Sequence, residues 1–425
     1  MLELKLMHHY TTITCKTFTF AAPMTEDIWR VTVPKLAFSG SQHLADAVLA
    51  VSALHLRSLT PNDKELVRAS HAYMAASLAE YNAALNKGIN QSNAEALFLT
   101  STLIAFQATA TRTFIKDEPA ISNSAHGSGT GGYAIPFSWF HAFQGVKAIT
   151  AASWRFLRDS PVVAHIINSQ VALQLNIEES KDGFFGHLLE GLEEELATMD
   201  ANAPSSSVNE TTAPAPNTGT GSSPPPKTEP QQQQQQQQQE GIRAPDTETA
   251  QSAHVNSTRQ AYQHAVAALN WAHKIPHRGA ALSFPATVSR RFVELLEERR
   301  PRALAVLACF FALLKSLEDV WWLQGMARRE VLGVAALFSG DYFGADAHAR
   351  WWPHLEWAVR IAVWRDDDGA GAGAIPAEVW GADWAAEERA LAEASRDGAD
   401  FFSQIELLSQ MTGAAPSLPL GAPQP

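Results

Sequence analysis

Apolar residues recur along this chain at intervals of three and four, the spacing that brings side chains onto one face of an α-helix. Val67, Met74, Leu78, Tyr81 and Leu85 share one such face. Thr60 followed by Pro61 reads as the start of that helix, since a hydroxyl N-cap with proline at the first helical position suits the free N–H groups there. Gly88 is placed to end it. Ser92-Asn93-Ala94-Glu95 fits a capping box ahead of the apolar segment Leu97 to Phe106. Ser138 reads as the cap of a further helix, with Trp139, Phe143, Val146, Ile149 and Leu157 on its buried side; Pro161 stops or restarts the chain beyond it. No period-2 alternation between turn residues is sustained, so strands are not supported. The expected class is all-α, a single multi-helix domain.

The pattern breaks once in the middle. Asp200 to Gln251 is rich in Pro, Ser, Thr and Gly, and carries Pro224-Pro225-Pro226 and an unbroken glutamine run from Gln231 to Gln239. Such a segment lacks the apolar side chains that offset ordering entropy, and is expected to be a disordered insert, its glutamine run a neutral repeat. Helical spacing resumes over Tyr262 to His273 and Ser283 to Arg299. From Ala303 to Leu314 both sides are apolar: Leu304, Leu307, Phe311 and Leu314 on one, Val306, Phe310 and Leu313 on the other. A helix apolar all round is buried all round, so this one is expected at the centre of the domain. It is too short to span a bilayer, which takes ~20 residues. Asp366-Asp367-Asp368 and the Gly-Ala repeat to Gly373 read as a loop. The expected division is 1–199, an N-terminal helical half; 200–251, the insert; 252–412, a C-terminal helical half; and 413–425, a frayed tail.

Composition narrows the chemistry. The chain has 425 residues, 46% of them hydrophobic, a net charge of −12 and two cysteines, Cys15 and Cys309. A disulfide framework is excluded. So is a binuclear zinc cluster within this chain, because six cysteines are needed for each metal to reach four thiolates even with two shared. The acidic balance argues against direct binding to a phosphate backbone. The opening Met1-Leu2-Glu3-Leu4-Lys5 lacks the pattern of a secretory signal, so a soluble intracellular protein is expected.

Gly127-Ser128-Gly129-Thr130-Gly131-Gly132 matches a dinucleotide-binding glycine pattern in letters only: polar coil precedes it and Pro136 follows too soon. Asp366-Asp367-Asp368-Gly369 resembles the start of a calcium loop, but the fifth position is Ala370. His8 and His9 point apart on a helix. His55, His71 and His141 read as core histidines, and Glu193-Glu194-Glu195 as a solvated face. No catalytic set assembles, so an enzyme is not expected. Eight of the twelve tryptophans lie between Trp321 and Trp384. Their spacing favours core filling; the alternative is the wall of a pocket for a rigid hydrophobic ligand.

One late block carries a resemblance. Arg300 to Lys315, then Val320-Trp321-Trp322-Leu323-Gln324-Gly325, then Trp351-Trp352-Pro353-His354-Leu355-Glu356-Trp357 follow one another in an order that resembles the C-terminal regulatory domain of fungal zinc-cluster transcription factors, specifically the sterol uptake control protein family. Leu6-Met7-His8-His9-Tyr10-Thr11-Thr12, Val33-Pro34-Lys35-Leu36-Ala37-Phe38 and Leu49-Ala50-Val51-Ser52-Ala53-Leu54-His55-Leu56 are similar to that family's opening segments. The resemblance implies a helical ligand sensor regulating RNA polymerase II genes of sterol or secondary metabolism. It implies a sterol or other hydrophobic small molecule near Phe310, Phe311, Leu314, Trp321, Trp322, Met326 and Trp351. It also implies a homodimer, a nuclear location with shuttling to the cytoplasm, and DNA contact only through an upstream module that would hold the zinc; no cofactor is expected in this chain. The missing cysteines depart from the family pattern and keep open a helical scaffold or partner-binding protein derived from such a factor.

Overall fold

A computed structural model describes residues 1–19, 23–114, 133–169, 173–201, 247–275, 278–344, 346–365 and 375–386. Among them every regular element is helical and none is a strand, as the spacing predicts. The chain divides into two compact units, one comprising Met1–Glu190 with Ala261–Pro425, the other Gly191–Gln260.

The larger unit opens with α1 (Leu2–Thr12), α2 (Val33–Phe38), α3 (Gln42–Leu59), α4 (Lys64–Asn86) and α5 (Ala94–Ala110). The helix α3 is buried along nearly its whole length, from His43 to His55, because α1, α2, α4 and α5 all pack on it. Leu6 of α1, Leu49 and Ala53 of α3, and Leu66 and Ala69 of α4 make one apolar cluster. Next come α6 (Phe137–Leu157), which packs on α5, and α7 (Pro161–Asn168). Ser160 caps α7 by accepting the Val163 N–H at 3.0 Å, so Pro161 restarts the chain.

The smaller unit holds α8 (Leu192–Ala201) and the first half of α9 (Thr247–Lys274). Leu192 and Leu196 are buried there, and Arg259 pairs with Glu193 at 2.8 Å. The expected insert therefore begins inside α8 and ends inside α9, and its residues 202–246 lie outside the described residues. The same holds for the glycine pattern at 127–132, the loop at 366–373, and the expected tail.

The larger unit continues with α10 (Arg278–Thr287), α11 (Arg290–Glu297), α12 (Pro301–Leu313), α13 (Met326–Leu337), α14 (Gly340–Phe343), α15 (Ala347–Val363) and α16 (Ala377–Trp380). As expected of a helix without a polar face, α12 is buried at every position from Arg302 to Leu313; α13 and α15 pack against it. No helix among the described residues is long and apolar enough to cross a membrane.

Several local expectations are corrected. The cap of α4 is Asp63, whose carboxylate accepts the N–H groups of Glu65 and Leu66; the Thr60 hydroxyl turns back to the Leu56 carbonyl of α3. The buried face of α4 runs through Leu66, Ser70, Met74, Ser77 and Tyr81, leaving Leu78 exposed. The capping box before α5 does not form, because Ser92 bonds Asn90 instead. Ser138 lies inside α6, behind Pro136. On that helix Phe140 and Lys147 are buried, while Phe143, Val146 and Ile149 are half-buried. Ser283 to Arg299 is broken into two helices, because Ser289 caps the second through the Phe292 N–H.

Candidate functional site

Between α12 and α13 the chain must reverse within a dozen residues. A 3₁₀ turn, Leu314–Leu317, tightens the end of α12, and Gly325 enters α13 at φ +70°, a left-handed conformation that costs other residues ~1–2 kcal/mol. The turn carries Trp321 and Trp322 onto the N-terminal helices. Trp321 stacks on His55 of α3, ring centres 4.7 Å apart at 13°. Phe106 of α5 meets the edges of both tryptophans, 6.1 Å from Trp321 and 5.2 Å from Trp322. The Thr113 hydroxyl donates to the Trp322 carbonyl at 2.8 Å. Phe106 continues to Phe18, and Phe18 to Trp29 and Tyr10.

This corner is apolar but not featureless. His55 contacts the ring of His9 at 5.0 Å and shares a 3.0 Å hydrogen bond with Thr14. Burial, and then His9, push His55 down to about 4; burial also lowers His9. Both imidazoles are therefore neutral at pH 7. His9 Nε2, Tyr10 Oη and Trp321 Nε1 are buried with no hydrogen-bond partner among the described residues. Buried polar groups are rarely left so, and such atoms can receive a polar group of a ligand.

The other residues singled out by the tryptophan block fall into separate groups. Phe310 stacks on Phe284 at 4.6 Å and meets Trp139 and Phe140; Phe311 joins the same group through Trp139. Trp351 packs with Phe338 and His354 under the Arg302 guanidinium. Leu314 and Met326 are fully buried at the two ends of the turn. Of the seven residues only Trp321 is half-buried; the rest are buried. The tryptophans thus serve more than one aromatic group.

Spacing alone missed the polar residues that hold this region. Glu330 of α13, with a fully buried carboxylate, accepts from Arg112 at 2.7 and 3.1 Å, from Tyr133 at 2.7 Å and from Arg329 at 3.0 Å. Burial, then the Glu330 charge, push the Tyr133 phenol well up. Arg302 donates to the carbonyls of Leu188 and Glu190; an arginine opening an otherwise apolar helix was a legible signal. Of the three histidines read as core, His55 is buried, while His71 and His141 are exposed, the latter 3.1 Å from Glu297. Cys15 and Cys309 are both buried, with thiols pushed up chiefly by burial. Two separate protonated thiols do not fit a zinc cluster.

The sequence profile of the fungal specific transcription factor domain matches residues 5–115. A Zn(2)-C6 fungal-type transcription factor of Gibberella zeae is 47% identical over 414 residues, which cover 97% of this chain and 70% of the relative. The chain belongs to the Zn(2)-C6 fungal-type transcription factors. A second such factor, afumD of Aspergillus fumigatus, is 26% identical over 71% of this chain and 65% of its own length. Sterol uptake control protein 2 of Candida albicans is 30% identical over 36% of this chain and 19% of its own length. In this member of the family, the matched segment 5–115 contains His55, Phe106 and Thr113, the residues on which the Trp321-Trp322 turn rests.

Proposed function

We propose that this chain is the ligand-sensing regulatory part of a zinc-cluster transcription factor, and that its ligand is a rigid, uncharged hydrophobe with a hydroxyl group, a sterol or a molecule of that kind. The observation that carries the reading is the Trp321 corner. Aromatic rings and neutral imidazoles surround it, and three buried polar atoms there have no hydrogen-bond partner among the described residues. An uncharged hydroxyl suits such atoms, whereas a charged group would be desolvated there without a counterion. The likeness to a sterol uptake control protein supports the ligand class.

On this reading the factor acts on genes transcribed by RNA polymerase II, in the nucleus with shuttling to the cytoplasm. It works as a homodimer, with no catalysis of its own. It reaches DNA through a zinc-bearing module outside this chain. Occupancy holds a repressed arrangement and loss of ligand releases it, which requires that the ligand bind one state better than the other. Because the corner joins α12 and α13 to α1, α3 and α5, filling it alters how tightly the late helices rest on the early ones.

A second reading keeps the sensor and changes the ligand. The relatives that align along most of this chain carry no sterol in their names, which favours a different hydrophobic metabolite. Thermal unfolding and tryptophan emission, measured with ergosterol, separate the two. A sterol sensor shows a concentration-dependent rise in midpoint, since a ligand of the native state stabilises it by mass action, together with an emission change. Neither change at saturating ergosterol removes the sterol and leaves the second reading.

A further inference from the structure

We propose that residues 376–386 form a strap that opens and closes over the carboxyl end of α9, with His273 as its latch. The strap begins with α16 and turns back through Gly381, Asp383 and Ala385, at φ +101°, +69° and +60°. Its backbone hydrogen bonds are mostly internal: the N–H groups of Val379 and Trp380 donate to Pro376, Gly381 to Ala377, Trp384 to Gly381 and Ala386 to Asp383. Trp380 and Trp384 stack on each other, ring centres 4.1 Å apart at 7°.

Three hydrogen bonds among the described residues join the strap to the rest of its unit, and His273 makes two of them. The Trp380 carbonyl accepts from His273 Nε2 at 3.1 Å and from Trp357 Nε1 at 3.0 Å. The Ala385 N–H donates to the His273 carbonyl at 3.2 Å. A carbonyl can only accept, so the His273 proton sits on Nε2. The imidazole lies flat on Phe184, ring centres 4.4 Å apart at 10°, and meets Trp384 at 5.2 Å. Gly381 rests against the Phe184 ring.

Three observations make this a moving part. Opening breaks no bond within another helix, since the strap's partners are two side chains and a carbonyl in the last turn of α9, where carbonyls have no partner inside the helix. Asp383 and Ala385 carry side chains in the left-handed region, which favours glycine, so the closed form holds strain that the open form releases. Both side-chain donors converge on the one Trp380 oxygen, so two of the three bonds part together. Opening uncovers Trp357, which meets Trp380 at 6.2 Å, and Phe184, and frees both donors.

The strap uses none of the residues of the Trp321 corner and does not rest on the sterol reading. Native-state hydrogen exchange on the full chain, read by mass spectrometry of peptic fragments with and without dilute urea, tests it. A four-residue helix does not persist alone in water, so undocking frees the strap's amides. Fragments from 376–386 are expected to exchange faster than those from α12, and at a rate that dilute urea leaves unchanged, the mark of a local opening that exposes little surface. His273→Phe keeps a ring for Phe184 and Trp384 but removes the Nε2 donor, and is expected to speed strap exchange about two- to tenfold, the worth of one hydrogen bond. Gly381→Ala, whose methyl group would run into the Phe184 ring, is expected to hold the strap open, at the exchange rate of an unstructured peptide, in a chain that still unfolds cooperatively. The proposal is overturned if the strap amides share the urea dependence of α12, if His273→Phe leaves their rate unchanged, or if Gly381→Ala keeps them protected or abolishes cooperative unfolding.

Discussion

Arg112→Met tests how the late helices are locked to the early ones. Arg112 follows α5 directly, and its guanidinium makes two hydrogen bonds, 2.7 and 3.1 Å, to a Glu330 carboxylate that has no exposure. Removing one partner of a buried ion pair costs ~3–5 kcal/mol, because the remaining charge stays desolvated. Glu330 keeps Tyr133 at 2.7 Å and Arg329 at 3.0 Å, which places the expected loss at the lower end, ~3 kcal/mol. A unit as large as the one that holds this pair shifts its midpoint by somewhat under ~2 °C per kcal/mol, so the midpoint should fall by roughly 4–5 °C. Methionine retains the apolar bulk of the stem, so lost packing contributes little. Adding Glu330→Gln to Arg112→Met should recover part of the loss, since no buried charge that has lost Arg112 remains, and the double-mutant cycle should show a coupling above ~1 kcal/mol. Urea unfolding gives the free energies directly. A single-variant loss below ~1 kcal/mol, or additive effects in the cycle, would refute the claim that this carboxylate is dry and held by Arg112.

Trp322→Ala should destabilise by ~3–5 kcal/mol, the range for truncating a buried large aromatic ring; a neutral result in urea unfolding would mean that the ring is not packed on Phe106 as described. Gly325→Ala should cost ~1–2 kcal/mol from backbone conformation alone, since a methyl group there meets no atom within 4 Å; a loss above ~3 kcal/mol would point to a clash instead. His55, His187, His264 and His273 are all pushed down to about 4, chiefly by burial, whereas in the unfolded chain they titrate near 6.5. Between those values the unfolded state binds more protons, so stability is full above pH ~6.5 and declines as the pH falls towards 4, by at most ~1.4 kcal/mol per pH unit for each histidine. Urea midpoints at pH 7, 6 and 5 should show that decline, and His55→Phe should make it shallower; a flat profile would show that these histidines protonate freely in the native fold.

What could be read in the sequence followed from how strongly each segment constrains itself. α12 was legible because an apolar helix with no polar face has nowhere to go but the interior, and Arg302 to Leu313 are buried throughout. Gly88 and Pro161 were legible because φ near +95° and a proline-started helix each restrict the chain locally. Cap assignment failed where two candidates stood three residues apart: Thr60 and Asp63 both suit an N-cap, and only the packed chain decides which side chain faces the free N–H groups. Ser289 was missed for a similar reason, since a serine within a segment read as one continuous helix reads as surface until it caps. Lys147 and Glu330 were illegible as interior residues, because charge predicts exposure and only the packed chain reverses it. Among the seven residues marked for a pocket, burial was foreseeable, but partition was not: Phe310 and Phe311, Trp321 and Trp322, and Trp351 sit in different aromatic groups, and residue spacing along the chain carries no information about which helix each ring meets.

The central claim, that the Trp321 corner receives the ligand, can be tested residue by residue. Protein labelled with 5-fluorotryptophan gives a fluorine resonance for each tryptophan, assigned by single Trp→Phe substitutions, and is titrated with ergosterol. The account predicts that the Trp321 and Trp322 resonances shift and saturate together with the thermal midpoint, while those of Trp380 and Trp384, stacked on each other 4.1 Å apart in another group, hold their positions. Saturable binding that moves Trp380 and Trp384 but leaves Trp321 and Trp322 in place would contradict it.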